Sequence, residues 1–456
     1  MAKLSEHNTC MRLRQNTLVI GLFLLSILVL AGCLPIEPDM ISDLQQLSQS
    51  PLTYLNPDSM NNSVVGKDHQ QAMNTQYTEW FFTPWTGSFS SRSGDVRWEF
   101  DRYIKNPGFG ENKLPRSKEW VEELLEKAHL QSYPNVKRRA ITIHNTNLRL
   151  LPTEKPLFNS FELAGEGFPF DTLQNSGLPA NVPIYVYHIT QDRSWAYIES
   201  PYASGWIPAA DLAWTNDKFI KLFRHNYFAS IIKDHTTIHD PDTGAYLYDA
   251  FMGMQFPVIN ENDSGFTVLV AVSDRQQATL RKLRISKTVA SRRPLKLTQQ
   301  KIAELAQELM NQPYGWGNLF DDRDCSSMLR DLFAPFGIWL PRNSSDQARS
   351  GVFISLKGLS PEDKEKAIIQ NGIPYLTLIW LKGHIMLYVG SANGRAVAFH
   401  NIWGIRTKDF WGHEGRKVIG KAVITTLQPG RDLPNFDPEG DLLKRVEGIT
   451  LLIPAN

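Results

Sequence analysis

Cysteine is scarce in this chain: 456 residues contain three, at positions 10, 33 and 325. That excludes a disulfide-stapled scaffold. A charge of one sign is also missing. Lys and Arg total 48 against 47 Asp and Glu, a formal net charge of +1, so nothing points to nucleic acid or an anionic surface as the main partner. Repeats and low-complexity tracts are absent. The apolar run Thr17 to Leu30 is too short for a comfortable membrane span. What remains, 42% hydrophobic and 21% charged, is globular composition, long enough for about two to four domains.

The first 33 residues carry a targeting pattern. Arg12 and Arg14 form a positive region ahead of an apolar run of secretory length. Leu30-Ala31-Gly32-Cys33 resembles a bacterial lipobox. That resemblance implies that residues 1–33 are a lipoprotein signal peptide and that Cys33 becomes the lipidated first residue of the mature chain. It implies attachment to the membrane through an N-terminal lipid anchor of more than one acyl chain, as stable anchoring requires. Leu34, where Asp would signal retention, implies a cell-envelope protein on the outer membrane of a diderm, facing the periplasm. Cys10 is then removed and Cys33 is modified, which leaves Cys325 as the only free thiol. Such a thiol is either a small buried hydrophobe or a working nucleophile.

Residues 34–75 are rich in Ser, Asn, Gln and Pro and read as a tether. Residues 76–137 contain a helix over Ser117–Leu130, with Trp120, Leu124, Leu125 and Ala128 at helical spacing. From Arg139 the texture turns to short strands: Ala140–Ile143, Val182–His188, Trp195–Glu199 and Gly205–Pro208. These predict a small β-barrel over 138–215. A second barrel is predicted over 216–290, from Ala245–Phe251, Gln255–Ile259 and Gly265–Ala271. The basic stretch Arg281–Lys296 reads as a connector with a solvated face. Over 295–430 the pattern is helices, then strands, which predicts an α+β domain. One helix opens at Thr298 and ends at Pro313, and a second starts near Asp324. Strands follow at Leu376–Leu381, His384–Val389 and Ala396–Asn401. Residues 431–456 form a C-terminal extension.

Cys325 falls in the first turn of the second of these helices, where free N–H groups and the macrodipole favour an anion. That position predicts a lowered thiol pKa, a reactive thiolate and donors for an oxyanion. His384 is the candidate base and His400 its orienting partner. A two-residue Asn393-Gly394 turn would put them on opposite faces of the hairpin. A three-residue Ala392-Asn393-Gly394 loop would put both on one face, so a Cys-His-His triad predicts that loop. His413 is a rival third member, and Asp346 and Asp409 are acidic alternatives. His235 and His239 have metal-ligand spacing without a third ligand, so no metal and no cofactor is expected.

Several motifs then carry a family resemblance. They are Pro313-Tyr314-Gly315-Trp316-Gly317, Arg323-Asp324-Cys325-Ser326, Pro341-Arg342-x-Ser344, Gly383-His384-Ile385-Met386-Leu387-Tyr388-Val389-Gly390 and Phe399-His400. In this order they resemble the NlpC-type bacterial cell-wall cysteine peptidases, which have a papain-like core. Upstream, Leu148-Arg149-x-x-Pro152-Thr153, Pro169-Phe170-Asp171-x-x-Gln174 and Gly205-Trp206-Ile207 resemble bacterial SH3-like barrels. The branch implied has a helical N-terminal stabilising region, two such barrels and the peptidase. The resemblance implies hydrolysis of the γ-D-glutamyl–diaminopimelate bond in peptidoglycan stem peptides or muropeptides with a free N-terminal L-Ala. By position it implies that Asp324 and Ser326 bind that end of the substrate, and that Tyr314 and Trp316 shape the cleft. Ser327 and Asn318 depart from the family, many of whose members have Gly at those positions. The alternative is a non-catalytic peptidoglycan-binding lipoprotein.

Overall fold

The computed structural model describes residues 41–87 and 93–453. The expected signal peptide, with Cys10 and Cys33, lies outside the described residues. Among those described, no helix is long and apolar enough to cross a membrane.

Helices open the chain: α1 (Ser42–Gln46), α2 (Lys67–Phe81), α3 (Ser93–Lys105) and α4 (Lys118–Ala128). The stretch 34–75, expected to be a tether, is from Ser42 onward packed against the body. Several of its polar residues bond groups of the body. Asp43 accepts hydrogen bonds from the Thr426 N–H (2.7 Å) and hydroxyl (2.8 Å). Gln49 donates to the Ile424 carbonyl at 2.9 Å and accepts from its N–H at 3.0 Å. The inward face of α2 is Gln70, Asn74, Tyr77 and Phe81, and the Gln70 amide donates to the carbonyls of Leu295 (2.7 Å) and Phe336 (3.1 Å). A buried carbonyl needs a partner, and here polar side chains supply it.

The first β region contains β1 (Arg138–Thr142), β2 (Thr146–Arg149), β3 (Gln174–Leu178), β4 (Pro183–Ile189), β5 (Trp195–Glu199), β6 (Ser204–Pro208) and β7 (Leu212–Trp214). The second contains β8 (Phe228–Ile231), β9 (Thr236–His239), β10 (Tyr246–Ala250), β11 (Gln255–Asn262), β12 (Gly265–Asp274), β13 (Gln277–Ser286) and β14 (Ala290–Arg293). The basic stretch expected as a connector therefore supplies most of β13 and all of β14. Its alternating charges lie on strands, and Arg293 is buried, with its guanidinium 4.3 Å from the Tyr77 ring centroid. Among the described residues twelve of these strands form one sheet, because β7 pairs with β1 and also meets β13 through Gln277 and Trp214. Strands β9 and β10 pair separately.

The last region holds α5 (Gln299–Leu309), α6 (Cys325–Phe333) and α7 (Pro361–Asn371). Thr298 caps α5 by accepting from the Lys301 N–H. That helix stops at Leu309, before Pro313, because Met310 is extended and Asn311 is left-handed, with φ +63°. Strands β15 (Val352–Ser355), β16 (Thr377–Leu381), β17 (His384–Ala392), β18 (Arg395–Lys408), β19 (Glu414–Thr426) and β20 (Gly448–Leu451) form a sheet ordered β15-β20-β16-β17-β18-β19. Residues 431–456, expected as an extension, thus contribute an interior strand. Met328, Leu329, Leu332 and Phe333 of α6 pack with α5 on Ile385, Leu387, Val389 and Phe399. Ile368 of α7 covers the opposite face against Met386, Tyr388 and Ala398.

A buried charge joins the second β region to this sheet. Arg323 grips Asp234 through two hydrogen bonds (2.7 and 2.9 Å) and Asp331 through Nε (2.8 Å). Burial alone would raise the Asp234 carboxyl, but the guanidinium overrides it and holds the group at about 2. Removing one member of a buried pair leaves an uncompensated charge. Asp234→Ala is expected to lower unfolding stability by about 3–5 kcal/mol, measured by urea denaturation; a loss below about 1 kcal/mol would contradict the clamp.

Candidate active site

Asp324 fixes the start of α6. Its carboxylate accepts from the Ser327 N–H (2.9 Å), and Ser327 Oγ accepts from the Asp324 N–H (3.0 Å), a reciprocal capping box. Cys325 follows as the first helical residue, 8% exposed. Strands β17 and β18 stop pairing beyond Leu387 and Phe399, and the thiol is seated where they part. It faces the backbone N–H groups of Ile385 and Ser326, while the Asn401 amide donates to the Arg323 carbonyl at 2.8 Å. The expected low thiol pKa is not found. Burial, then the Asp324 charge, push it up to about 12. The helix terminus is outweighed because the sulfur is dry and stands beside a carboxylate.

Burial, followed by Arg445, lowers His384 to about 4, with Asp324 opposing. Burial and then His384 lower His400 further. Both rings are neutral near pH 7. They share a face, with His384 Nε2 2.8 Å from His400 Nδ1. The three-residue loop expected to achieve this is not present. Ala392 pairs with Arg395 across a two-residue Asn393-Gly394 turn with φ +51° and +77°. The register shifts instead between Tyr388 and Gly390, a β-bulge at Val389. One extra residue in β17 exchanges the faces of everything upstream, which brings His384 to the side of His400.

The hydrogen bonds also fix the protons. Thr425, fully buried, donates its hydroxyl to the Thr426 carbonyl at 2.6 Å, and a carbonyl can only accept. Thr425 Oγ1 therefore accepts from His400 Nε2–H, 2.9 Å away. His400 Nδ1 is then a lone pair that accepts from His384 Nε2–H, and His384 Nδ1 is left bare. No hydrogen bond joins the thiol to the His384 ring. His413 lies on the β18–β19 hairpin tip, 2.8 Å from Asp409, and Asp346 pairs with Arg349. Neither of these pairs joins the His384–His400 bond. His235 and His239 sit on the second β region, and no metal-competent cluster occurs among the described residues.

The Asp324 carboxylate is neutralised by Arg342, whose Nη2 is 2.7 Å from Oδ2. Arg342 also donates to Ser326 Oγ (3.0 Å) and, through Nε, to Ser176 Oγ (2.8 Å) on β3 of the first β region. From the same strand, Gln174 donates to the Gly317 carbonyl at 2.9 Å. Trp316 Nε1 donates to the Asp171 carbonyl at 3.1 Å, and its ring stands 5.2 Å from that of Phe170. Tyr314 lies 6.0 Å from Trp403 and 6.4 Å from Phe170, which completes an aromatic wall. Burial, then Cys325 and Asp324, raise the Tyr314 phenol, so it stands close to the thiol. Asn318 is left-handed (φ +66°), a conformation Asn tolerates. A Cβ on Gly177 would come within 2.6 Å of the Asn318 Cβ, so the barrel strand approaches this loop through a residue without a side chain. Sequence reasoning missed Arg342, Ser176, Thr425, Trp403 and Phe170 as members of the site. Arg342 and Phe170 stand inside motifs quoted above, and Thr425 has no sequence signal.

Thr425→Val leaves a buried donor on His400 without an acceptor, a cost of about 1–3 kcal/mol. Nitrogen NMR of the imidazoles is expected to show the Nε2–H tautomer at His384 in the wild type and in Thr425→Ser, and a shifted tautomer population in Thr425→Val. Identical spectra for all three would contradict the proton assignment.

Comparison with known proteins places three domain models along the chain. The model of the NLPC_P60 N-terminal stabilising domain matches residues 20–133, that of the SH3 domain (SH3b1 type) residues 156–208, and that of the NlpC/P60 family residues 311–406. Among solved structures the chain is similar to an NlpC/P60 endopeptidase from Photobacterium damselae subsp. piscicida, with TM-score 0.80 and 25% identity over 90% of this chain and 98% of that one. A second similar structure, an NlpC/P60 family protein from Bacillus cereus, has TM-score 0.42 and 15% identity, over 62% of this chain and 83% of that one. A comparison with curated proteins finds no match. With a stabilising domain, an SH3 domain and a Cys/His/His-bearing last domain in one order, the chain belongs to the NlpC/P60 family of cysteine peptidases.

Proposed function

We propose that this protein is a cysteine endopeptidase that hydrolyses the γ-D-glutamyl–diaminopimelate bond of peptidoglycan stem peptides. The observation that carries this reading is the His384–His400–Thr425 chain, which leaves a bare imidazole nitrogen on His384 in the same domain as the only thiol among the described residues. Cys325 is the nucleophile, His384 the general base and His400 the residue that fixes its tautomer. During attack the Sγ proton passes to His384 Nδ1 as sulfur bonds to the γ-carbonyl carbon. The oxyanion meets the first N–H groups of α6. His384 then protonates the departing diaminopimelate amine. Water, deprotonated by the same ring, hydrolyses the thioester and returns the thiol.

Asp324 and Ser326 receive the free amine of an N-terminal L-Ala, with Arg342 holding the carboxylate in place, and Tyr314 and Trp316 wall the cleft. We also infer that 138–215 and 216–290 are two SH3-like barrels behind a helical stabilising region. We place the mature chain on the outer membrane through lipid on Cys33, facing the periplasm. Support for the barrels comes from the strand order and for the anchor from the lipobox.

Wild type is expected to release L-Ala-γ-D-Glu from L-Ala-γ-D-Glu-diaminopimelate, and Cys325→Ala to release none above background by mass spectrometry; equal release would refute the assignment. The pH dependence has a definite sign. His384 acts when unprotonated and its folded pKa lies below 6.5, so kcat/KM is expected to stay level as pH falls past 6.5 and to drop only near about 4. Over the same window the unfolded chain binds the proton that the folded chain refuses, so stability also declines from 6.5 toward 4. A rate limb at 6.5 would remove His384 from the role of base.

A further inference from the structure

Beside the aromatic wall lies a groove of about 930 Å³, between the 156–171 loop of the first β region and the β18–β19 hairpin. Arg416, exposed on β19, lines it together with Trp403, Phe168 and Phe170. Across the ladder Arg416 stands directly opposite Arg406. Like charges facing each other in an antiparallel pair destabilise the pair. Arg406 is compensated by Glu414 and by Asp437, 2.7 Å away. Arg416 forms no direct ion pair with a described carboxylate: its guanidinium reaches two carbonyls at long range, Gly404 at 3.4 Å and Ala164 at 3.5 Å, and Glu414, which supports it from nearby, is itself bonded to Arg406. Partial burial of the guanidinium, then Arg406 and Arg445, draw its pKa down against Glu414 and Tyr314, and an anion placed in the groove would offset the two like charges. The ladder itself would be better served by a neutral residue.

The groove shares its wall with the thiol. Trp403 lies 6.3 Å from Phe170 and 6.0 Å from Tyr314. Resting on the endopeptidase reading, we infer that Arg416 is a carboxylate-binding subsite that takes one free carboxylate of the stem peptide, on its D-glutamyl or diaminopimelyl residue. The guanidinium fork matches a carboxylate through two parallel hydrogen bonds, and the flanking rings keep the pair partly dry. A carboxamide at the same place would lose the charge and half the acceptors.

The test uses the full chain and four synthetic peptides: L-Ala-γ-D-Glu-diaminopimelate and the same peptide with each free side or terminal carboxylate converted singly to the amide. In the wild type one amidation is expected to lower kcat/KM roughly ten- to hundredfold. In Arg416→Gln that penalty should shrink to about threefold or less, with the other penalties unchanged, while Arg416→Lys keeps an intermediate share. The Tm of Arg416→Gln should equal or exceed that of the wild type, because a like-charge pair is removed. Amidation penalties that are the same in wild type and Arg416→Gln overturn the subsite and leave the endopeptidase reading standing. A lower Tm with unchanged penalties assigns Arg416 to folding and likewise overturns it. No cleavage of any peptide by the wild type overturns the endopeptidase reading, and the subsite with it.

Discussion

A guanidinium buried two residues ahead of the thiol is the constraint on which the site depends. Arg323 could not stay dry without Asp234 and Asp331, because an uncompensated buried charge costs several kcal/mol. Asp234 belongs to the second β region and Asp331 to α6 itself. The start of α6 can therefore take its place only when the β region has docked. Arg342 repeats the arrangement toward the first β region through Ser176, and Gln174 does so through the Gly317 carbonyl. The thiol is held where three parts of the chain meet, and none of them could present it alone.

The same dryness governs the chemistry proposed for the site. Thiol and imidazole are both neutral at rest, because burial penalises either charge. The two groups therefore do not rest as a reactive ion pair. Separation of charge is deferred to the moment when substrate closes the cleft and the carbonyl carbon accepts the sulfur, and it is then supported by fixed dipoles rather than by water. A protonated, covered thiol is also a poor target for oxidants.

Much of this was legible in the sequence. The period of Met328, Leu329, Leu332 and Phe333 placed α6, alternation placed the strands that carry His384 and His400, and Ser-Asn-Gly punctuation placed the turn between them. What was not legible has physical causes. A bulge at Val389 changes register without changing composition, so a longer loop was the only visible way to bring the histidines together. The inward face of α2 includes the polar residues Gln70, which bonds buried backbone, and Asn74, so a search for apolar periodicity finds little there and the segment passes for linker. Strand β20 lies about 70 residues beyond its neighbour β16, and pairing at that distance leaves no local trace. The direction of the Cys325 pKa was misjudged because a helix start was weighed without the adjacent carboxylate or the depth of burial.

Gly177 gives these contacts a further meaning. Its hydrogen stands where any other residue would carry carbon, and the barrel meets the loop before the thiol at that point. The gap between the two bodies is thus set by an atom that is missing. A single methyl there would act as a shim and lever the wall of the cleft outward while leaving every reacting group untouched. Which peptides the enzyme admits can in this way drift through a position with no chemistry of its own, and the width of the aperture can evolve separately from the blade behind it.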